Sequence, residues 1–466
     1  MLGVNMIIEV GADLKITNIN SQEQIKLVNY LTNNLKIPNP QFFRLQKMGK
    51  WTGKTPQYII LYSKLQNGFL VPFGALHDVY RLFPHADYQL KFQKHNDVLN
   101  YKSRIKPYDY QRVAIDKVVK AKNGVLVAPC GAGKTEMALQ IIAEVGLPAL
   151  WVTHTQDLLK QSFERATKNF ELPKQCFGTI TDGKINIGNY ITLATVQTLS
   201  KIDLNKIKDQ FGIIIVDECH RVGGSPTNIM MFYKCLSNLS ARYKIGVTAT
   251  PKKNGLEKSM YSLLGDLIYE IPKEAVANKL CDVEIINCFT HYKPDIKMVT
   301  STDGTLDHTK MIDDLTKNND RNKYIIEFLK SNLESCIVLS ERVAHLQYLF
   351  NNCGIAEASM LTSHTPKKQR ENVIDDFKSG KIKMLFTTYQ LMSEGFDCPS
   401  LRSIVLATPQ KNEKVVTQSI GRVARKCDGK TKGIVYDMVD DWFVYNKMRK
   451  EREKVYKKNN YEFNKI

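Results

Sequence analysis

The chain has 466 residues, of which 43% are hydrophobic and 24% charged, and a formal net charge of +19. That length implies about three globular domains with full apolar cores, and the balance excludes a disordered or collagen-like polypeptide. The positive surplus favours a polyanionic partner, nucleic acid first, over a neutral small substrate, although a Lys-, Asn- and Ile-rich codon bias would give the same surplus.

No apolar run approaches the roughly 18 residues that a membrane span needs. The first ten residues are too short, and too soon interrupted by Glu9 and Asp13, to read as a signal peptide. The ten cysteines are scattered without a CxxC pair, which argues against a zinc site or a disulfide framework and for a reducing cytosol.

Residues 1–100 contain no catalytic constellation. A helix is predicted over 21–35, opened by a Ser21 cap with Gln24 three residues on and stopped before Pro38 and Pro40. Strands at 57–62 and 69–72 flank Gln66-Asn67-Gly68, a hairpin signal. The region reads as a small α+β accessory domain. Lys47, Lys50, Trp51 and Lys54 mix positive charge with an aromatic, as a nucleic-acid face does; an ordinary solvated loop has the same composition.

Over 101–272 the pattern alternates strand and helix. Apolar runs at 124–128, 149–153, 191–194, 212–216 and 244–248 do not alternate in polarity, which suits parallel strands covered on both faces. Helices are expected at 136–145 and 155–170. Over 273–441 the pattern starts again, with runs at 336–339, 383–387, 403–407 and 433–436 and helices at 322–331, 342–352 and 367–379. Residues 291–318 read as a polar, flexible insertion, and 442–466 as a basic tail whose charged helix frays. The fold class is α/β, with two tandem parallel-sheet domains behind the α+β accessory domain.

The stretch 127–135 (Val-Ala-Pro-Cys-Gly-Ala-Gly-Lys-Thr) joins a predicted strand to a predicted helix. Such a turn can wrap a phosphate with converging N–H groups at the positive end of the helix dipole. Gly131 and Gly133 permit close backbone approach, Lys134 can reach β- and γ-phosphates, and the Thr135 hydroxyl can hold Mg²⁺. Ala128 stands where the strict motif has its first glycine, and a turn that merely ends in Lys-Thr is the plain alternative. The run 213–216 then delivers Asp217 and Glu218, 83 and 84 residues after Lys134. A triphosphate site needs one carboxylate on the metal and one to activate water, roles that suit Asp217 and Glu218 in turn.

In this order the motifs resemble those of superfamily 2 helicases and translocases of the DEAH/DECH kind. Tyr108-Asp109-Tyr110-Gln111 resembles the adenine-reading Q motif, 128–135 motif I, 153–161 motif Ia, and Thr195-Val196-Gln197-Thr198 the next strand-contacting motif. Asp217-Glu218-Cys219-His220 resembles motif II, Thr248-Ala249-Thr250-Pro251 motif III, and 337–342 motif IV. Thr387-Thr388 with Glu394-Gly395-Phe396-Asp397 resembles motif V, and Gln418-Ser419-Ile420-Gly421-Arg422-Val423-Ala424-Arg425 motif VI. The resemblance implies two RecA-like domains facing each other across a cleft, with ATP and Mg²⁺ as cofactors. It assigns nucleotide binding to Gln111, Gly131, Ala132, Gly133, Lys134, Thr135, Asp217, Gly395 and Asp397, and the metal to Thr135 and Asp217. Glu218 becomes the base, Arg425 an arginine finger with Arg422 beside it, and Gln418 a residue that positions water. His220, Thr248 and Thr250 would couple hydrolysis to movement, and Thr153, Thr195, Thr198, Thr387 and Thr388 would hold the nucleic-acid backbone.

Lys252-Lys253-Asn254-Gly255-Leu256-Glu257 resembles a stretch found in the XPB, UvsW and RecG-like double-strand translocases, with Lys253 and Asn254 as departures. Asn319-Asp320-Arg321-Asn322 fits the same group. The first 75 residues resemble the leader of phage helicases of this kind, with Val71-Pro72-Phe73-Gly74 where Leu-Pro-Arg-Gly is usual. The implied protein is a monomeric ATP-dependent motor acting on branched or double-stranded DNA, without a membrane partner, in the cytoplasm of a bacterium or a phage-infected host. An RNA helicase and the motor subunit of a restriction or defence complex stay open as alternatives. A scaffold with a dead ATPase is disfavoured, because Lys134, Asp217, Glu218 and Arg425 are all present.

Overall fold

The computed structural model describes residues 5–95, 98–129, 131–249, 255–331, 335–393 and 398–463. The chain divides into two compact units, Met1–Ala275 and Val276–Ile466.

The first unit opens with a five-stranded sheet in the order Ser63–Leu65, Gly68–Pro72, Asp13–Thr17, Ile7–Val10 and Asp87–Leu90, antiparallel except for its last pair. The hairpin predicted at Gln66-Asn67-Gly68 forms, but its first arm is Ser63–Leu65, with Leu65 opposite Gly68. The predicted strand at 57–62 contributes Tyr58–Ile60 elsewhere, as the partner of Lys36–Pro38. The helix Ser21–Asn34 is capped one residue earlier than predicted. Asn20 accepts from the Gln22 and Glu23 amides, and Glu23 returns a bond to the Asn20 amide. The Asn20 side-chain oxygen and the reciprocal Glu23 carboxylate satisfy the end N–H groups, which places Ser21 inside the first turn.

Behind it lies an eight-stranded sheet ordered Lys184–Asn186, Phe177–Thr181, Ile191–Thr195, Ala149–Thr153, Ile213–Asp217, Tyr243–Thr248, Asn123–Val127 and Leu267–Glu270. All pairs are parallel except the first. The five predicted runs are its fully covered middle. The strands that sequence reading missed are the edge strands Lys184–Asn186 and Leu267–Glu270 and the penultimate Phe177–Thr181, where burial is incomplete and polar residues break the apolar signal. Because Ile213–Asp217, Tyr243–Thr248 and Asn123–Val127 are adjacent, the segments leaving their carboxyl ends are neighbours in space.

The five- and eight-stranded sheets of this unit are joined by a buried amine. Lys244 is fully buried and donates to the Ala12 carbonyl at 2.6 Å and the Leu236 carbonyl at 2.7 Å, 4.8 Å from the Phe73 ring centre. Burial pushes its pKa down and that of the nearby Asp13 carboxyl up, and each charge partly offsets the cost of the other. Lys244→Met should therefore destabilise the protein by about 3–5 kcal/mol, the usual cost of removing one charge of a buried pair. Urea unfolding checks this, and Asp13→Asn placed on Lys244→Met should recover part of the loss. A loss below about 1 kcal/mol, the scale of a single ordinary hydrogen bond, would refute the joint.

The second unit holds a seven-stranded parallel sheet ordered Ala358–Leu361, Met384–Thr388, Cys336–Ser340, Ser403–Leu406, Lys432–Val439, Asp282–Phe289 and Glu462–Phe463. Ile337, Leu339, Leu385, Ile404 and Leu406 pack into one buried cluster and Cys336, Val338, Met384, Phe386 and Val405 into another. Both faces of these strands are covered, which is why their sequences run apolar without alternation.

Two expectations fail here. Residues 291–318 are not a flexible insertion. They contain the helices Ile296–Val299 and His308–Lys317, capped by Asp295 and Asp307, and bury Tyr292, Val299, Met311 and Leu315 against Tyr445 and Met448. The tail does not fray. Its helix Phe443–Lys458 buries Tyr445, Met448, Arg452, Val455 and Tyr456, and Asp437 accepts from Arg452 and the Tyr456 hydroxyl, each at 2.8 Å. In both segments apolar residues every three or four positions were masked by the charges between them. Among the described residues, no helix is long and apolar enough to cross a membrane.

Candidate ATP site

In the first unit the strand Asn123–Val127 leads into the glycine loop, and the helix Lys134–Val145 leaves it. Gly131 and Gly133 have φ of 85° and 76°, the left-handed region that a side chain would strain. Gln111 clamps the loop from the side. Its carbonyl accepts from the Tyr108 amide at 3.0 Å and its amide donates to the Ala132 carbonyl at 2.8 Å. A Cβ at Gly133 would lie 2.5 Å from that amide nitrogen, so the clamp itself requires glycine there. The Tyr110 hydroxyl donates to the same Ala132 carbonyl at 3.2 Å. The Tyr108 ring stacks on Tyr110 at 6.0 Å and remains 51% exposed. The Lys134 and Thr135 side chains are half-buried in the first helical turn, where N–H groups and the helix dipole favour an anion.

Asp217 ends a completely buried strand and accepts from the Glu218 amide at 2.9 Å. Burial first, and the Glu218 carboxylate second, push its carboxyl well above the usual carboxylate range, while Lys134 and Arg165 pull the other way. Glu218 itself has φ 47°, rare for a residue with a side chain. Strain of this kind survives where the surroundings over-determine the backbone. The turn aims Glu218 back at the loop, 4.0 Å from the Lys134 amine. The buried His220 ring places Nδ1 3.1 Å from a Glu218 carboxylate oxygen and 2.8 Å from the Thr248 hydroxyl. The Thr248 carbonyl in turn accepts from the Ala128 amide at 2.9 Å. Carboxylate, imidazole, hydroxyl and loop thus form one chain of contacts.

In the second unit Gln418 and Arg422 lie on the helix Glu413–Val423, and Arg425 follows it. Gln418 is buried, and the two arginines are half-buried. The backbone around Arg425 is tightly held. The Lys430 amine donates to the Val423 carbonyl and, at 2.9 Å, to the Arg425 carbonyl, and the Cys281 amide donates to the Ala424 carbonyl at 2.8 Å. Lys430 was invisible to motif reading. Its only signal in the sequence is a lysine five residues after the last arginine, but the structure makes it the residue that fixes the Arg425 turn.

Residues 104–253 match the family described as type III restriction enzyme, res subunit, and residues 320–427 match the helicase conserved C-terminal domain. The chain is a superfamily 2 helicase. A candidate ATP-dependent RNA helicase, L396 of Acanthamoeba polyphaga mimivirus, is 28% identical over 389 residues, covering 79% of this chain and 70% of the relative. The DNA 3'-5' translocase XPB2 of Sulfurisphaera tokodaii is 23% identical over 365 residues, covering 70% and 80%. Dbp5 of S. cerevisiae, solved bound to RNA and ADP BeF3, shares the fold at TM-score 0.54 and 17% identity, over 78% of this chain and 90% of that one. The two parallel sheets of the helicase are RecA-like, and its matched domains are those of an ATP-hydrolysing enzyme.

The residues present suit Mg²⁺ and ATP. The Asp217 carboxylate is buried, with burial and the Glu218 charge outweighing the pull of Lys134 and Arg165, and Thr135 lies in the first turn of the helix that the loop feeds. Mg²⁺ is commonly held by one or two protein groups together with phosphate oxygens and water, so this pair suffices. Of the other assigned residues, Thr250, Gly395 and Asp397 lie outside the described residues, as do 252–254.

The threonines assigned to nucleic acid are less open than expected. Thr153 and Thr195 pair across adjacent strands at the carboxyl edge, but Thr153 donates to the Thr155 carbonyl at 3.1 Å, and Thr195 to the Thr198 hydroxyl at 2.9 Å. These three are 0–9% exposed. In the second unit Thr387 is 1% exposed, while the Thr388 hydroxyl accepts from the Leu391 amide at 3.4 Å. Except at Thr388, which is half-buried, the hydroxyls face inward, where they shape strand ends whose backbone amides can meet phosphates.

Proposed function

We propose that this helicase is an ATP-driven DNA helicase or double-strand translocase of the DECH kind that remodels forks, junctions or R-loops in replication, recombination or repair. We place it in the cytoplasm as a monomeric motor. The observation that carries the reading is the placement of Leu256. Leu256 packs into the same buried cluster as Ile8, Leu27, Phe73 and Val79 of the accessory domain. Leu256, eight residues after Thr248, thus forms part of the accessory core, as expected of a motor whose extra domain takes part in substrate handling. The similarity to XPB2, named a DNA translocase, points the same way.

The chemistry follows from the residues. The glycine loop and Lys134 hold the β- and γ-phosphates. Thr135 and Asp217 would hold Mg²⁺, which would supply neutralisation of charge on those phosphates. Glu218 takes the proton of the attacking water, Gln418 orients that water, and Arg425 with Arg422 stabilises the charge on the transferring phosphoryl group. His220 senses Glu218 and passes its state to Thr248, hence to the loop and the accessory core. Backbone contacts without base readout suit a motor that must move over any sequence.

ATPase stimulation and ATP-driven unwinding on forks, four-way junctions, R-loops, plain duplex DNA and RNA test the proposal. Branched DNA should give the largest response. Stimulation by RNA alone would replace the DNA reading with an RNA helicase, the activity for which L396 is named.

A further inference from the structure

Residues 442–466 carry eight Lys and Arg against three Glu, so the last 25 residues hold +5 of the total +19. Most of this charge is laid out on one face of one helix. Lys447, Lys450, Lys454, Lys457 and Lys458 are exposed along Phe443–Lys458, at helical spacings that form a single stripe, headed by Phe443, itself 57% exposed. Lys454 and Lys458 have carboxylates at 2.6 Å, from Glu451 and Glu413. Lys447, Lys450 and Lys457 have no acidic partner among the described residues.

A charged helix face is often only a solubilising surface. Here the opposite face is pinned. Arg452 and Tyr456 converge on the buried Asp437, Tyr445 donates to the Met311 carbonyl at 2.9 Å, and the chain then adds Glu462–Phe463 to the sheet edge. These contacts hold the helix against rolling and fraying, so the positions from which the amines extend are fixed. From Lys447 to Lys457 it spans about 15 Å at ~1.5 Å per residue. That is about four base-pair steps at ~3.4 Å each along one nucleic-acid strand. The helix uses its apolar face in the core and leaves only Phe443 exposed, too little to bury in a bilayer, which argues against a membrane surface.

We propose that the lysine face of the helix Phe443–Lys458 is a phosphate-tracking surface for the nucleic-acid backbone, separate from the strand-end motifs. The inference rests on the reading of the chain as a nucleic-acid motor. The test is binding of the full chain to a blunt DNA duplex and a matched RNA duplex as salt is raised. Three forms are compared: wild type, the triple variant Lys447→Ala/Lys450→Ala/Lys457→Ala, and the triple Lys→Arg variant at the same positions. Each phosphate contact adds about 0.9 to the slope of log K against log salt for duplex DNA, so the alanine triple should flatten that slope by about 2 to 3. The arginine triple should keep the wild-type slope. Flattening on DNA, on RNA or on both supports the surface and tells which backbone it serves. An unchanged slope in the alanine triple, with wild type binding normally, overturns the surface alone. Wild type that binds neither duplex overturns the motor reading as well. Loss of binding to anionic vesicles, with duplex binding intact, would reassign the face to lipid. Were the triple to misfold, Lys450→Glu alone must flatten the slope by about one contact.

Discussion

Arg425→Ala should lower the nucleic-acid-stimulated kcat for ATP hydrolysis by about 10³- to 10⁵-fold, the worth of an arginine finger in related triphosphatases. ATP binding should persist, because Lys134, Thr135 and the glycine loop belong to the first unit and are untouched. Arg425→Lys should not rescue. A guanidinium presents a planar fork to the phosphoryl oxygens, whereas an ammonium is a point charge on a mobile stem. The Lys430 amine adds a finer test. Burial lowers its pKa, and it spends its protons on the Val423 and Arg425 carbonyls. Lys430→Met should relax that turn and lower kcat by up to about 10²-fold, the scale of a misplaced catalytic group, with little change in the KM for ATP. Steady-state kinetics with saturating DNA, beside binding of a fluorescent ATP analogue, read both effects. If Arg425→Ala kept kcat within tenfold of wild type, the finger would have to be another residue.

The legible parts of this molecule were those whose function constrains spacing. Lys134, Asp217, Thr248 and the Gln418-to-Arg425 series stand out in the sequence because a phosphate, a metal and a water would each ask for such groups at strand and helix ends. The five central strands of the eight-stranded sheet were visible because both faces are buried, so their sequences run mostly apolar without alternation, Lys244 being the charged exception. The edge strand Leu267–Glu270 was not, since an edge tolerates polar residues. Nor could the sequence show that Gln111 binds the loop rather than standing free for adenine, because both uses require the same amide. The packed tail helix was misread for a related reason. Arg452 reads as surface charge until its partner Asp437, 15 positions away on a strand, is brought beneath it by the fold. Long-range pairing of this kind leaves no local periodicity to detect.

Glu218→Gln separates the two motif carboxylates. The amide keeps the size of the side chain and the left-handed turn at φ 47°, so the 218–220 geometry should persist. What disappears is the base. Kcat should fall by about 10²- to 10⁴-fold, the usual contribution of general base catalysis. The KM for ATP should hold or drop, and the reason lies in Asp217. The Glu218 charge is the second-largest influence raising the Asp217 carboxyl, after burial. Without it Asp217 ionises more readily and becomes a better ligand for Mg²⁺. Asp217→Asn should do the reverse, weakening Mg²⁺-dependent ATP binding before chemistry begins. The pair also predicts a difference in pH response. In wild type a raised Asp217 pKa means that protons compete with Mg²⁺ as pH falls toward that value, so ATP binding weakens on acidification. In Glu218→Gln that competition should set in at lower pH. Titrating ATP affinity against pH at fixed Mg²⁺ reads the shift. A Glu218→Gln enzyme with kcat within tenfold of wild type would remove Glu218 as the base, while an unshifted pH profile would show that the two carboxylates do not feel each other.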